Sequence, residues 1–221
     1  MTKVHITLEG NLGAGKSTVL ANVYERFGVD RGLAYAWEPL DEWNTSGFLA
    51  DMYSGKIPHG EFQCMVLCSM FDRTFNGLTG SEVLLQERSV DAAFEVFTKC
   101  NLDPAGSSFR VVAYCFGKLK ALLGNTFGAR THRIYLRIPP KVACSRVAER
   151  SRSSETAVSL EYLSSIHDGY ERWLSSEEGS GEDVTVVDAT RNVRDVTRDV
   201  VRVILGILDE DKHPKQLFAP Q

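Results

Sequence analysis

Gly10-Asn11-Leu12-Gly13-Ala14-Gly15-Lys16-Ser17-Thr18 decides how the rest of the chain is read. The run fits G-x-x-x-x-G-K-[ST], with Gly10, Gly15, Lys16 and Ser17 in the fixed places. Each fixed residue has a chemical reason. Glycines let the backbone curl until successive N–H groups point at phosphate oxygens, and the following helix adds its positive N-terminal end. Lys16 is placed to reach the β- and γ-phosphates, and the Ser17 hydroxyl to ligate Mg²⁺. The context agrees, because residues 3–8 read as a strand running in and 17–27 as a helix running out. The loop implies a nucleoside triphosphate and leaves open what is done with it.

Beyond this loop, short apolar runs alternate with longer helical patterns, which predicts an α/β fold with a mostly parallel sheet. Five strands are expected, at 3–8, 33–37, 83–86, 133–138 and 184–187. Helices are expected at 17–27, 61–76, 89–100, 108–123, 140–150, 160–175 and 193–208, with Gly124-Asn125 as the stop signal of the fourth. With no repeat, linker or composition shift, residues 1–221 read as one domain ending in a flexible tail over 209–221.

The bulk numbers exclude more than they assign. The 221 residues are 43% hydrophobic and 24% charged, with a net charge of −4, so no electrostatic footprint for nucleic acid or an anionic membrane is present. Cys64, Cys68, Cys100, Cys115 and Cys144 form no C-x-x-C pair and read as thiols in a reducing compartment. The scattered histidines suggest no zinc site. No run approaches 18 apolar residues and the first strand starts close to Met1, so a cytoplasmic protein is expected.

In open α/β sheets ligands sit outside the carboxyl ends of the strands, so the residues following each strand carry the function. Trp37-Glu38-Pro39 follows the second, Glu87-Arg88-Ser89 the third and Asp188-Ala189-Thr190 the fifth. A carboxylate at Glu38 can take a proton from an acceptor hydroxyl. Arg88 can clamp a transferring phosphoryl group, and Glu87 can hold Mg²⁺ directly or through water. Any one of these alone reads as a strand-end charge in solvent; all three beside a phosphate loop read as a site. Arg146 and Arg150 stand at i,i+4, with Arg152 and Glu155 following. Over 145–157 this reads either as a lid that folds arginines over triphosphate charge or as a solvated helix end.

These residues, together with Phe62-Gln63 and Leu160-Glu161-Tyr162-Leu163 leading to Trp173-Leu174, resemble the deoxyribonucleoside kinases. That family contains deoxycytidine kinase, deoxyguanosine kinase, mitochondrial-type thymidine kinase and the insect multisubstrate enzyme. The resemblance spans about residues 3 to 190. It implies a P-loop kinase fold, a five-stranded parallel sheet flanked by helices on both faces with an Arg-rich lid. It also implies a homodimer formed through helices.

Carried over by position, Glu38 resembles the general base on the 5′-hydroxyl and Arg88 its partner at the phosphoryl group. Tyr53 and Glu155 resemble the pair that binds the sugar 3′-hydroxyl, and Gln63 the reader of the base. Trp43, Phe62 and Phe97 resemble the walls around the base ring. The loop from Gly10 to Thr18, with Arg146, Arg150 and Arg152, resembles the ATP machinery, and Ser17 with Glu87 the Mg²⁺ ligands. Val66, Met70 and Ala93 stand where deoxycytidine-kinase-like members carry Ala, Arg and Asp. Their apolar character resembles the thymidine-accepting members and leaves a recess for the 5-methyl of thymine. Gln63 can pair with either pyrimidine by flipping its amide, so thymidine is expected first and deoxycytidine second.

Two departures from the family pattern bear on this. Ser154-Glu155 stands where relatives often carry two acidic residues. The stretch from Asp188 to Asn192 differs from the acidic version in deoxycytidine kinase, which leaves the donor base open, with ATP the default. Thymidylate kinase shares a phosphate loop and an Arg-rich lid, but Glu38 would repel an acceptor that is already a phosphate. A non-catalytic relative should have lost Lys16, Ser17, Glu38 or Arg88, and all four are present. A small GTPase would need an Asn-Lys-x-Asp guanine reader, which is missing.

Overall fold

The structure, a computed structural model, describes residues 3–28, 32–150, 158–175 and 183–210. Among them, five strands form one parallel sheet: β1 (Val4–Glu9), β2 (Leu33–Ala36), β3 (Val83–Glu87), β4 (Arg130–Arg137) and β5 (Asp183–Asp188). Their order is β2-β3-β1-β4-β5. β1 is central, with Leu8 opposite Glu87 on one side and Ile134 on the other. The strand order reverses at β1, so its carboxyl end opens into the crevice where such sheets bind ligands.

Alternation along the strands sends the two faces into different cores. Val4, Ile6 and Leu8 of β1 join Leu85 and Ile134 against α1 (Lys16–Phe27) and α10 (Val193–Glu210). The opposite face of β1 carries His5, Thr7 and Glu9, all buried. His5 Nε2 meets Gln86 Oε1 at 2.9 Å, and the Thr74 hydroxyl donates to the same oxygen at 2.9 Å. This second face is covered by α4 (His59–Gly80), α5 (Val90–Ala92), a π-helical turn (Ala93–Thr98), α6 (Lys99–Asn101), α7 (Ser107–Phe127) and α9 (Leu160–Ser175). α8 (Pro140–Arg150) follows β4 and leads toward the expected lid.

Three expectations need correction. The fourth strand starts at Arg130, ahead of its apolar run, because Arg130 to His132 pair with Val4 to Ile6 of β1. α7 does not stop at Gly124. It runs to Phe127, whose ring packs edge-on against Phe75 at 5.1 Å, and closes at Gly128 (φ 54), whose N–H donates to Gly124 O. α10 continues through Asp209 and Glu210, which the expected tail had included, and 211–221 lie outside the described residues. Two six-residue helices, α2 (Leu40–Thr45) and α3 (Phe48–Tyr53), were not expected, being too short to show a period. Among the described residues no helix is long and apolar enough to cross a membrane.

Candidate active site

At the carboxyl edge of β1, β2 and β3 a cavity of about 810 Å³ opens. One end is the phosphate loop. Gly10, Gly13 and Gly15 all have positive φ, and a Cβ on Gly10 would stand 2.6 Å from Leu136 O. Only glycine lets the backbone pass that close to β4. Leu12, Gly13, Gly15, Lys16, Ser17 and Thr18 line the cavity. Gly10, Asn11 and Ala14 act from behind. The Asn11 amide donates to Leu163 O at 2.8 Å, which ties the loop to α9, and Ala14 is buried in the core. Lys16 Nζ donates to Gly10 O at 3.0 Å and Asn11 O at 3.1 Å. Burial, then the Arg88 charge, pull its ammonium down to about 8.

Opposite the loop, three ionisable groups meet. The Ser17 hydroxyl donates to Glu87 Oε1 at 2.6 Å. Burial and then the Glu38 charge hold the Glu87 carboxyl above the usual carboxylate range. Arg88 Nε donates to Glu38 Oε1 at 2.8 Å in a nearly buried ion pair. Burial works against the guanidinium charge, but Glu38 foremost, with Tyr170, Glu9 and Glu87, more than offsets it and raises the Arg88 pKa. Arg88 has φ 60, a left-handed conformation rare for a side chain of this size, and its N–H is held by Leu8 O at 3.0 Å. Its guanidinium lies 4.2 Å from the Phe97 ring centroid.

The other end is aromatic and apolar. Trp43, Phe62, Gln63, Val66, Ala93 and Phe97 line it, with Tyr53 at a more exposed position. Trp43 Nε1 donates to Ser69 Oγ at 2.9 Å, and its ring stands edge-on to Phe62 at 6.2 Å. The Gln63 amide is 3.4 Å from Thr98 Oγ1, whose proton goes to Ala93 O at 2.9 Å across the π-helical turn.

Two expected residues are placed elsewhere. Met70 is fully buried behind the wall, in the apolar cluster with Trp43, Val66 and Phe94. Seven residues beyond Gln63 is about 10 Å along the helix axis, which carries the side chain past the cavity. Arg146 does not turn toward the cavity with Arg150. Its guanidinium donates to Ala189 O at 2.9 Å, Thr190 O at 3.2 Å and Gly13 O at 3.4 Å, bracing the loop from outside. Arg150 lines the cavity. Arg152 and Glu155 lie outside the described residues.

Sequence reasoning missed Asp41, Asn44, His59, Asn101 and Tyr162, which also line the cavity. It also missed Glu9, whose Oε1 accepts from Ser89 N at 3.1 Å while Oε2 has no partner. Glu9 is the last residue of β1, so a search for strand-end carboxylates had the signal, hidden by the loop that starts beside it.

The profile of the deoxynucleoside kinase family matches residues 6–208. The chain belongs to the deoxynucleoside kinase family. Among curated relatives of this kinase, thymidine kinase of Ictalurid herpesvirus 1 is 31% identical over 220 residues, covering 96% of this chain and 88% of the relative. The mitochondrial thymidine kinase 2 of Homo sapiens is 32% identical over 174 residues, covering 76% of this chain and 63% of its own. A deoxycytidine kinase of Bos taurus is 28% identical over 194 residues, covering 76% and 74%. Deoxyadenosine kinase from M. mycoides, solved with the products dCMP and a flexible dCDP, superposes with a TM-score of 0.67 at 22% identity. That match covers 92% of this chain and all of the other, and bears on the fold alone. The P-loop kinase fold expected of the family is the one observed.

Proposed function

We propose that this kinase transfers the γ-phosphate of ATP to the 5′-hydroxyl of a pyrimidine deoxynucleoside, thymidine ahead of deoxycytidine. The observation that carries the reading is the Glu38–Arg88 pair at 2.8 Å, facing the same cavity as Lys16 and Ser17. A donor phosphate on the loop and an acceptor hydroxyl at Glu38 would thus meet beside one guanidinium. Glu38 accepts the hydroxyl proton as the bond to phosphorus forms, and Arg88 and Lys16 stabilise the charge on the transferring group.

Ser17 and Glu87 would hold Mg²⁺. They are two hard oxygen donors already in contact, and a carboxyl resisting ionisation in a buried site gains from a cation. Held by these two oxygens, a divalent cation would supply positive charge against the negative charge that develops during transfer.

The uncharged wall formed by Val66 and Ala93 favours a 5-methyl pyrimidine, and the buried Gln63 amide supplies bidentate pairing. Thymidylate kinase activity is disfavoured because Glu38 would face the acceptor's phosphate. A homodimer fits α7, which exposes Val111, Tyr114 and Leu122 on one helical face. Analytical ultracentrifugation of the full chain tests this, and a monomer across the micromolar range refutes it.

The test of function is transfer of radiolabelled phosphate from ATP to each of four deoxynucleosides. Thymidine should be phosphorylated fastest, and Glu38→Gln or Lys16→Ala should abolish transfer. A folded wild-type protein that turns over none of the four overturns the reading.

A further inference from the structure

The Arg88 guanidinium is gripped on three sides: by Glu38 at Nε, by the Phe97 ring on its face, and by the Tyr170 hydroxyl, which accepts from Nη1 at 2.9 Å. The first grip weakens during the reaction: Glu38 holds Nε through Oε1, and once its carboxylate takes the acceptor proton the pair loses its charge. A ring face attracts a cation without fixing its rotation. Tyr170 is therefore the directional contact that keeps its strength as Glu38 is protonated.

Tyr170 is built for such a task. It is fully buried on α9, stacked on Tyr135 at 5.5 Å, edge-on to Phe97 at 6.4 Å and against Trp173 at 6.1 Å. Rings on these sides leave the hydroxyl one direction. Burial first, with the Glu9 charge adding to it, holds the phenol neutral far above its ordinary range. The hydroxyl thus holds the one guanidinium that faces the transferring group.

Resting on the kinase reading above, we propose that Tyr170 is a positioning residue. It keeps Arg88 aimed at the transferring phosphoryl group while Glu38 takes the proton from the substrate. It touches no reacting atom and acts through Arg88.

The experiment compares wild type, Tyr170→Phe, Arg88→Lys and the double variant in steady-state transfer from ATP to thymidine, with thermal unfolding alongside. Tyr170→Phe keeps every ring contact and loses only the oxygen. The expected result is a kcat about 10- to 100-fold lower, with the thymidine KM within about threefold of wild type. In the Arg88→Lys background the same change should cost less than about twofold, because the guanidinium it serves is gone. A Tyr170→Phe kcat within twofold of wild type overturns the role, as does an equal loss in both backgrounds. If Tyr170→Phe fails to fold, 3-fluorotyrosine at position 170 keeps the shape and weakens the oxygen as an acceptor. It must lower kcat in the same direction, and an unchanged kcat overturns the role. A wild type inactive on every deoxynucleoside sinks the kinase reading instead, which separates the two failures.

Discussion

Replacing Met70 by Arg and Ala93 by Asp tests the base-binding wall. Met70 is fully buried among apolar side chains and Ala93 is 1% exposed at the cavity wall. Met70→Arg alone puts a guanidinium into a cluster whose members carry no charge, at a cost of about 3–5 kcal/mol. Ala93→Asp alone buries a carboxylate and costs a similar amount. Each single change removes a large part of a total stability of about 5–15 kcal/mol. Together the two charges can pair, because both positions belong to one cluster. The double variant should therefore recover about 2–4 kcal/mol relative to the sum of the singles.

Function should follow the pair and not the single changes. Position 70 stands behind the wall, so an arginine there reaches the base only if an aspartate at 93 draws it forward. A charged hydrogen-bonding pair in place of an apolar recess should shift the thymidine to deoxycytidine ratio of kcat/KM toward deoxycytidine by about 10- to 100-fold. Urea unfolding of all four proteins and kcat/KM on both nucleosides measure the two effects. Additive destabilisation with an unchanged ratio would refute the assignment of this wall to the base.

Three further outcomes are expected. Gly10→Ala should cost at least about 2 kcal/mol in urea unfolding, because its Cβ stands 2.6 Å from Leu136 O at φ +143; Gly15→Ala, with nothing within 4 Å, should cost about half that, and equal losses would contradict the geometry. Lys16 loses its proton near pH 8 in the free enzyme, so the ATP dissociation constant should rise up to tenfold per pH unit above 8; calorimetric titrations from pH 7 to 9.5 that give a flat constant would contradict this. Burial lowers the His5 imidazole to about 4, so its contribution to stability is full above pH 6.5 and is lost as pH falls toward 4, on the order of 3 kcal/mol at most. Wild type should lose more stability than His5→Asn between pH 7 and 4.5, and parallel losses would show that His5 is not the group.

The fold was legible because its signals are local. The Gly10 to Thr18 loop needs only its own glycines and the adjoining strand and helix. The strand-end residues Glu38, Glu87 and Arg88 fall into one site once the sheet is parallel. Depth along a helix was less legible: the helical period put Gln63, Val66 and Met70 on one face, yet only the first two reach the cavity. A long flexible arm defeated the i,i+4 reading of Arg146, whose guanidinium turns back to three carbonyls. Tyr170 left no local trace at all. Its partner Arg88 is 82 residues away in sequence, and only the packing of α9 against the sheet brings them together.

In the proposed reaction Glu38 and Arg88 activate a deoxynucleoside hydroxyl against a triphosphate held by Lys16 and Ser17. Its most direct test is single-turnover transfer of labelled γ-phosphate from ATP to thymidine by wild type and Glu38→Gln, with thymidine binding measured in parallel. This reaction requires rapid formation of thymidine 5′-monophosphate by wild type, and at least a 100-fold slower rate for Glu38→Gln with thymidine still bound. A Glu38→Gln variant that transfers phosphate at the wild-type rate would contradict it.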